Sequence, residues 1–221
     1  MFAILNIAIR AIVVIVLAAL SGIGVYSVLP DQIKLKVPFT SQAPRGVWTE
    51  PWQNACEEAS IIMINNFYKG DTLTKEKAHQ EILSIFDIKE RTFGPSDDES
   101  METVAAVINS SNLVWRSRVV NNPTIEDLKT ELAAQRPIIV PVYAKVLNNP
   151  YYVGEGPDYH VVVLTGYDDA TGEFITQDSG TVQGKDFRYK YAEFFNAISD
   201  FLENGDYQNG HKRVLFTMPN N

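Results

Sequence analysis

The chain has 221 residues, 45% hydrophobic and 21% charged, with 13 Gly and 11 Pro, which excludes collagen-like, low-complexity and disordered classes. Its 27 acidic against 19 basic residues give a net charge of −8, a field that repels phosphate backbones and argues against a nucleic-acid partner. One cysteine, Cys56, and three histidines supply neither an internal disulfide nor a closed Cys/His zinc site, and no cofactor-binding or metal-binding pattern stands out.

Taken in chain order, the first segment is a membrane signal. Residues 11–29 carry no charge and follow a solitary Arg10, a length sufficient to cross a hydrocarbon core. A retained anchor is expected. The alternative is a secretory signal with Ala19 and Ser21 at the small positions of a cleavage site. Positive charges on both flanks leave the orientation balanced, but so short a head is easily retained inside, which places the domain outside the cytoplasm. The expected organisation is therefore a membrane or signal segment over 1–30 and one domain over 31–221.

After Pro30 the chain reads as soluble α+β. An extended piece at 33–40 leads through a loop with Gln42, Pro44, Gly46 and Pro51 to a helix between Trp52 and Tyr68. There Ala55, Ala59, Ile62, Met63, Asn66 and Phe67 recur at helical spacing and Cys56 falls in the first turn. Further helices are predicted at 74–86, from Met101 after the acidic D-D-E-S run, and after Pro123, where Thr124 with Asp127 resembles a capping box and Pro137 ends the element. Runs at 138–146 and 159–167 are β-branched and aromatic, and 173–178 is the return strand of a hairpin about 168–172. That hairpin brings His160 near Asp178, given a small register offset. An amphipathic stretch at 191–202 and a strand at 213–217 complete the order. Helices segregated ahead of an antiparallel sheet indicate an α+β fold.

Chemistry would rest on Cys56, His160 and Asp178. A thiol in the first helical turn sits where backbone N–H groups and the helix dipole favour the thiolate. An imidazole can take its proton and deliver it to a leaving amine, and a carboxylate on the far ring nitrogen fixes the tautomer. Gln42 or Gln53 is available as an amide donor to an oxyanion. Glu57 and Glu58, directly after the thiol, oppose its ionisation unless they point away. Each residue also has a bland reading: buried core for Cys56, a satisfied half-buried ring for His160, a turn for Asp178. His79 and His211 read as solvated surface and a polar turn. The acidic run at 97–100 and the Asp168–Asp169 pair lack calcium-loop spacing and read as solvated acid. Trp48, Trp52, Tyr151, Tyr152 and Tyr159 either line a peptide groove or pack.

The words around these residues narrow the choice. V-P-F-T-S-Q at 37–42, A-C-E-E-A-S-I-I-M from Ala55, Y-H-V-V-V-L-T-G-Y-D at 159–168 and Q-D-S-G at 177–180 together resemble the C39-like peptidase family. The resemblance runs from about Lys34 to Thr217 and implies a papain-like fold, with a helical half carrying the cysteine and a sheet carrying histidine and aspartate. It implies Cys56 as nucleophile, His160 as general base, Asp178 as the acid and Gln42 as oxyanion partner, with Gln53 the alternative. Peptide or protein substrates and no cofactor follow. Cys-Glu-Glu stands where many members have Cys-Gly-Pro, and Asp178-Ser179 where many have Asp-Pro. No transporter spans or phosphate-binding loop accompany the domain. The competing reading is a non-catalytic peptide-binding module on the same fold; cell-wall-cleaving Cys/His hydrolases, whose Cys-to-His spacing is shorter, and transglutaminase-like acyl transfer rank behind.

Overall fold

One long strand organises the sheet, because its residues are buried on both faces. The structure, a computed structural model, describes residues 29–95, 98–200, 202 and 205–220. In chain order the elements are β1 (Gln32–Lys34), α1 (Cys56–Lys69), α2 (Lys75–Phe93), α3 (Met101–Ser110), β2 (Trp115–Asn121), α4 (Ile125–Ala133), β3 (Ile138–Val142), β4 (His160–Asp168), β5 (Glu173–Gln177), β6 (Lys185–Lys190), α5 (Tyr191–Ala197) and β7 (Arg213–Pro219). The sheet is antiparallel in the order β2-β7-β3-β4-β5-β6. β1 pairs with the far end of β4, continuing the line of β3.

The fold is α+β, as expected. Segregation is incomplete: β2 lies between α3 and α4 in sequence and pairs with β7. Its Trp115 and Ser117 are buried while Arg116 and Arg118 are exposed, the alternation of a half-covered strand. β6 also lies outside the predicted set. It is an edge strand dressed in Lys185, Arg188 and Lys190, which disguise its pattern and blunt its free side. The predicted extended piece at 33–40 is a strand only over Gln32–Lys34. The run at 138–146 ends as strand at Val142 and becomes a 3-10 turn over Ala144–Val146. The amphipathic stretch at 191–202 is helical only over Tyr191–Ala197, after which Ile198 and Asp200 make isolated bridges to Val142 and His211.

Helix α1 packs on β4 and supplies Ala59, Ile61, Ile62, Met63 and Ile64 to a core shared with Val161, Val162, Val163 and Leu164. Each fully buried Val, Leu or Ile contributes about 1.5–3 kcal/mol of transfer free energy. That packing fixes the cysteine-bearing helix against the histidine-bearing strand. Gly70 closes α1 with φ +70, its N–H returning to the carbonyls of Asn66 and Phe67. Gly166 in β4 answers a different need. A Cβ there would lie 2.2 Å from the Ile33 carbonyl, so β1 can pair only with a residue lacking one.

The segment 1–28 lies outside the described residues, and with it nearly all of the expected anchor or signal. Among the described residues no helix is long and apolar enough to cross a membrane.

Candidate active site

Cys56 is the first residue of α1, reached through a 3-10 turn over Trp52–Asn54. Its N-cap is Ala55, which offers no side-chain acceptor, so the first N–H groups of the helix are not capped from the side chain. His160 opens β4 and Asp178 follows β5 directly. The β4–β5 register pairs Asp168 with Glu173 and Val163 with Gln177, with a shift between Leu164 and Gly166. The bulge shifts the register by one residue, and Asp178, just past the end of β5, reaches diagonally across the remaining two to His160. His160 Nε2 lies 2.9 Å from Asp178 Oδ1.

Asp178 is fully buried yet carries a dense shell of donors. Besides His160, Oδ1 accepts from the Gly180 N–H at 3.1 Å. Oδ2 accepts from Tyr189 Oη at 2.6 Å, Tyr152 Oη at 2.7 Å and Asn149 Nδ2 at 3.1 Å. Burial alone would push its pKa up, but the charge and hydrogen bond of His160 and the two tyrosine hydroxyls outweigh it and hold the carboxyl below its ordinary value. The ionised acid keeps a proton on His160 Nε2, which leaves Nδ1 as the acceptor of the neutral ring. Nδ1 makes no hydrogen bond among the described residues. Gly180 is needed for this arrangement: a Cβ there would sit 2.9 Å from both Cε1 and Nε2 of His160.

Cys56, His160 and Gly180 line one cleft of about 220 Å³ with Gln42, Asp98, Tyr152 and Tyr159. The fold therefore brings the predicted cysteine and histidine to one opening, with the aspartate behind the ring. The thiol, only 4% exposed, does not rest as expected from its place at a helix start. Its Sγ is 3.0 Å from Glu57 Oε2, and burial followed by the charge and hydrogen bond of Glu57 pushes its pKa well up. Glu57 is itself buried, and its Oε1 accepts from the Glu99 N–H at 3.0 Å. Burial and the neighbouring Glu58 raise Glu57 to about 8. Glu58 does point away, forming a buried ion pair with Lys89 at 3.1 Å.

Gln42 lines the cleft, but its Nε2 donates to the carbonyls of Trp52 at 3.1 Å and Gln53 at 2.8 Å. Two carbonyl acceptors fix the amide orientation, since its own oxygen could not face them, and that Oε1 is buried without a partner. Service to an oxyanion would require one of those bonds to be exchanged. Gln53 also lines the cleft and donates to Glu50 Oε1.

Several bland readings change. Glu99, read as solvated acid, is buried beside Lys89 at 3.5 Å, and Ser100 caps α3. His79 is half-buried and stacks on Trp52 with ring centroids 4.4 Å apart, because α2 presses that face onto the loop before α1. Tyr159 donates to the Glu99 carbonyl at 2.9 Å, whereas Tyr151 stays largely exposed against Phe187. Sequence patterns do not point to Asn149 or Tyr189, and they include Gly180 without a role. Its place in the Q-D-S-G word is the one available signal, and its closeness to the His160 ring is the reason for it.

The chain matches the Peptidase_C39 like family over residues 34–210, which is most of its length. It belongs to that family. No curated protein matches it. Among solved structures, a candidate C39-like peptidase from Bacillus anthracis aligns at a TM-score of 0.55 and 16% identity, covering 86% of this chain and 99% of that one. At that identity the likeness is one of fold. Xylellain, a cysteine protease from Xylella fastidiosa, aligns at a TM-score of 0.39 and 15% identity, covering 88% of each chain.

Proposed function

We propose that this family member is a thiol peptidase, or hydrolase of a related amide, held at a membrane or exported by its apolar segment at 11–29. The observation that carries the reading is the His160–Asp178 pair opening onto the same cleft as Cys56. His160 Nδ1 takes the Cys56 proton, and the thiolate attacks the scissile carbonyl carbon. The tetrahedral oxyanion is received by the Cys56 backbone N–H, with Gln42 joining if it exchanges a carbonyl bond. The imidazolium then protonates the departing amine, and water activated by His160 releases the acyl group.

The competing reading is a peptide-binding module that does no chemistry, and the specific observation favouring it is the buried thiol held by Glu57. Labelling of the full chain with an electrophilic thiol probe, followed by digestion of a peptide library, separates the two. Uptake at Cys56 that is lost in His160→Ala, together with cleaved peptides, supports the hydrolase. Equal labelling of both proteins with no cleavage overturns it.

A further inference from the structure

Charge is scarce in the cleft that holds Cys56 and His160. Among the described residues no lysine or arginine lines it, and Asp98, in the loop between α2 and α3, is its one carboxylate. Asp98 is half-buried, and the Tyr207 hydroxyl donates to its Oδ2 at 3.0 Å. The Tyr207 ring stands 5.7 Å from that of Tyr159, which lines the same cleft, and its backbone carbonyl accepts from Ser199 Oγ at 2.7 Å. A neutral phenol thus steadies the carboxylate at the cleft without cancelling its charge. Trp48, 40% exposed, with Val153 and Pro157, adds apolar surface on which the methylene stem of a long side chain can lie.

We infer that Asp98 is a specificity-determining residue of the proposed peptidase: it pairs with the cationic head of a Lys or Arg side chain that the substrate carries close to the scissile bond. Complementarity of charge carries the argument. A basic side chain meets one opposite charge and no like charge in the lining, whereas an acidic one meets Asp98 and no cation to receive it. The pairing also serves the nucleophile. Asp98 is among the charges that oppose ionisation of the Cys56 thiol, and a cation bound beside it favours the thiolate. This inference rests on the hydrolase reading, whose substrates it narrows to peptides that are basic near the cut.

The test digests one peptide library, with Lys, Arg, norleucine and Glu exchanged at each position, using the full chain and its Asp98→Asn and Asp98→Lys variants. Wild type should favour Lys or Arg at one position near the cut over norleucine by about 10- to 100-fold in kcat/KM. Asp98→Asn should lose most of that preference while cutting the norleucine peptides within a few-fold of wild type, and Asp98→Lys should turn the preference toward Glu. A second measurement needs no turnover: labelling of Cys56 by methanethiosulfonates that carry either a trimethylammonium or a sulfonate group. The cation-to-anion rate ratio, normalised to a free thiol, should fall by about fivefold or more in Asp98→Asn. Cleavage by wild type without a basic preference overturns the inference and leaves the hydrolase reading standing. So does a folded Asp98→Asn protein that keeps the preference. Where no library peptide is cut, an Asp98→Asn labelling ratio equal to wild type overturns it instead. Absence of cleavage together with equal labelling of wild type and His160→Ala defeats the hydrolase reading, and the inference with it.

Discussion

Replacing Gly180 with alanine probes the site without touching any ionisable group. The added Cβ would lie 2.9 Å from His160 Cε1 and Nε2 and 3.3 Å from Asp178 Oδ1. Carbon contacts settle near 3.5–4.0 Å, so about 0.6 Å or more must be found. The ring has little room to yield, since its side chain is 3% exposed, Nε2 is bonded to Asp178 and Tyr152 stands edge-on at 5.9 Å. Moving the imidazole by that amount would stretch the 2.9 Å bond to Asp178 to about 3.5 Å, the limit of a useful hydrogen bond. The folding cost should resemble ordinary overpacking, about 1–3 kcal/mol. Misplacement of a base by a sizeable fraction of an ångström should lower the rate more, by about 10- to 100-fold. Thiol alkylation, peptide cleavage and thermal melting on the same preparation would measure both. A folded Gly180→Ala protein that alkylates and cleaves like wild type would refute the claim that His160 acts from this position.

The remaining predictions concern charge and caps. Asp178→Asn replaces an acceptor by an amide facing five donors, so it should destabilise by about 1–3 kcal/mol in urea unfolding at neutral pH and suppress Cys56 alkylation. Because the folded Asp178 carboxyl lies below its unfolded value, the folded state binds fewer protons there. Its contribution is thus present above about pH 3.9 and disappears as pH falls through the folded pKa, so the wild-type advantage over Asp178→Asn should shrink on acidification. Glu58→Gln should cost about 3 kcal/mol, read from the urea midpoint, because it strips the nearer partner from buried Lys89. Thr124→Ala removes a capping box on α4, far in sequence from the cleft residues, and should cost about 1 kcal/mol while leaving alkylation unchanged.

What could be read in advance followed local rules. Helix α1 announced itself by apolar spacing, α4 by its capping box, and the β4–β5 hairpin by a β-branched run around a turn, and each lies close to where it was expected. The missing strands fail for one reason: β2 and β6 carry Arg and Lys on their open faces, so a short alternation is diluted by charge. At the cleft, spacing and family words together led to Cys56, His160 and Asp178. They did not lead to Asn149 and Tyr189, which meet Asp178 across 29 and 11 residues through loop and edge-strand geometry that no local pattern encodes. The contact of Glu57 with the thiol was foreseeable only as a conflict of charge; that Glu58 turns to Lys89 while Glu57 stays depends on where α2 packs.

Asn149 and Tyr152 belong to the same stretch whose Tyr152, Val153 and Pro157 form a wall of the cleft. In the proposed peptidase, recognition and proton handling would therefore share one strap of chain. Anyone regrafting that stretch to alter selectivity would slacken the anchor behind the imidazole unless those two side chains were carried across unchanged, and a natural sequence drifting there meets the same constraint.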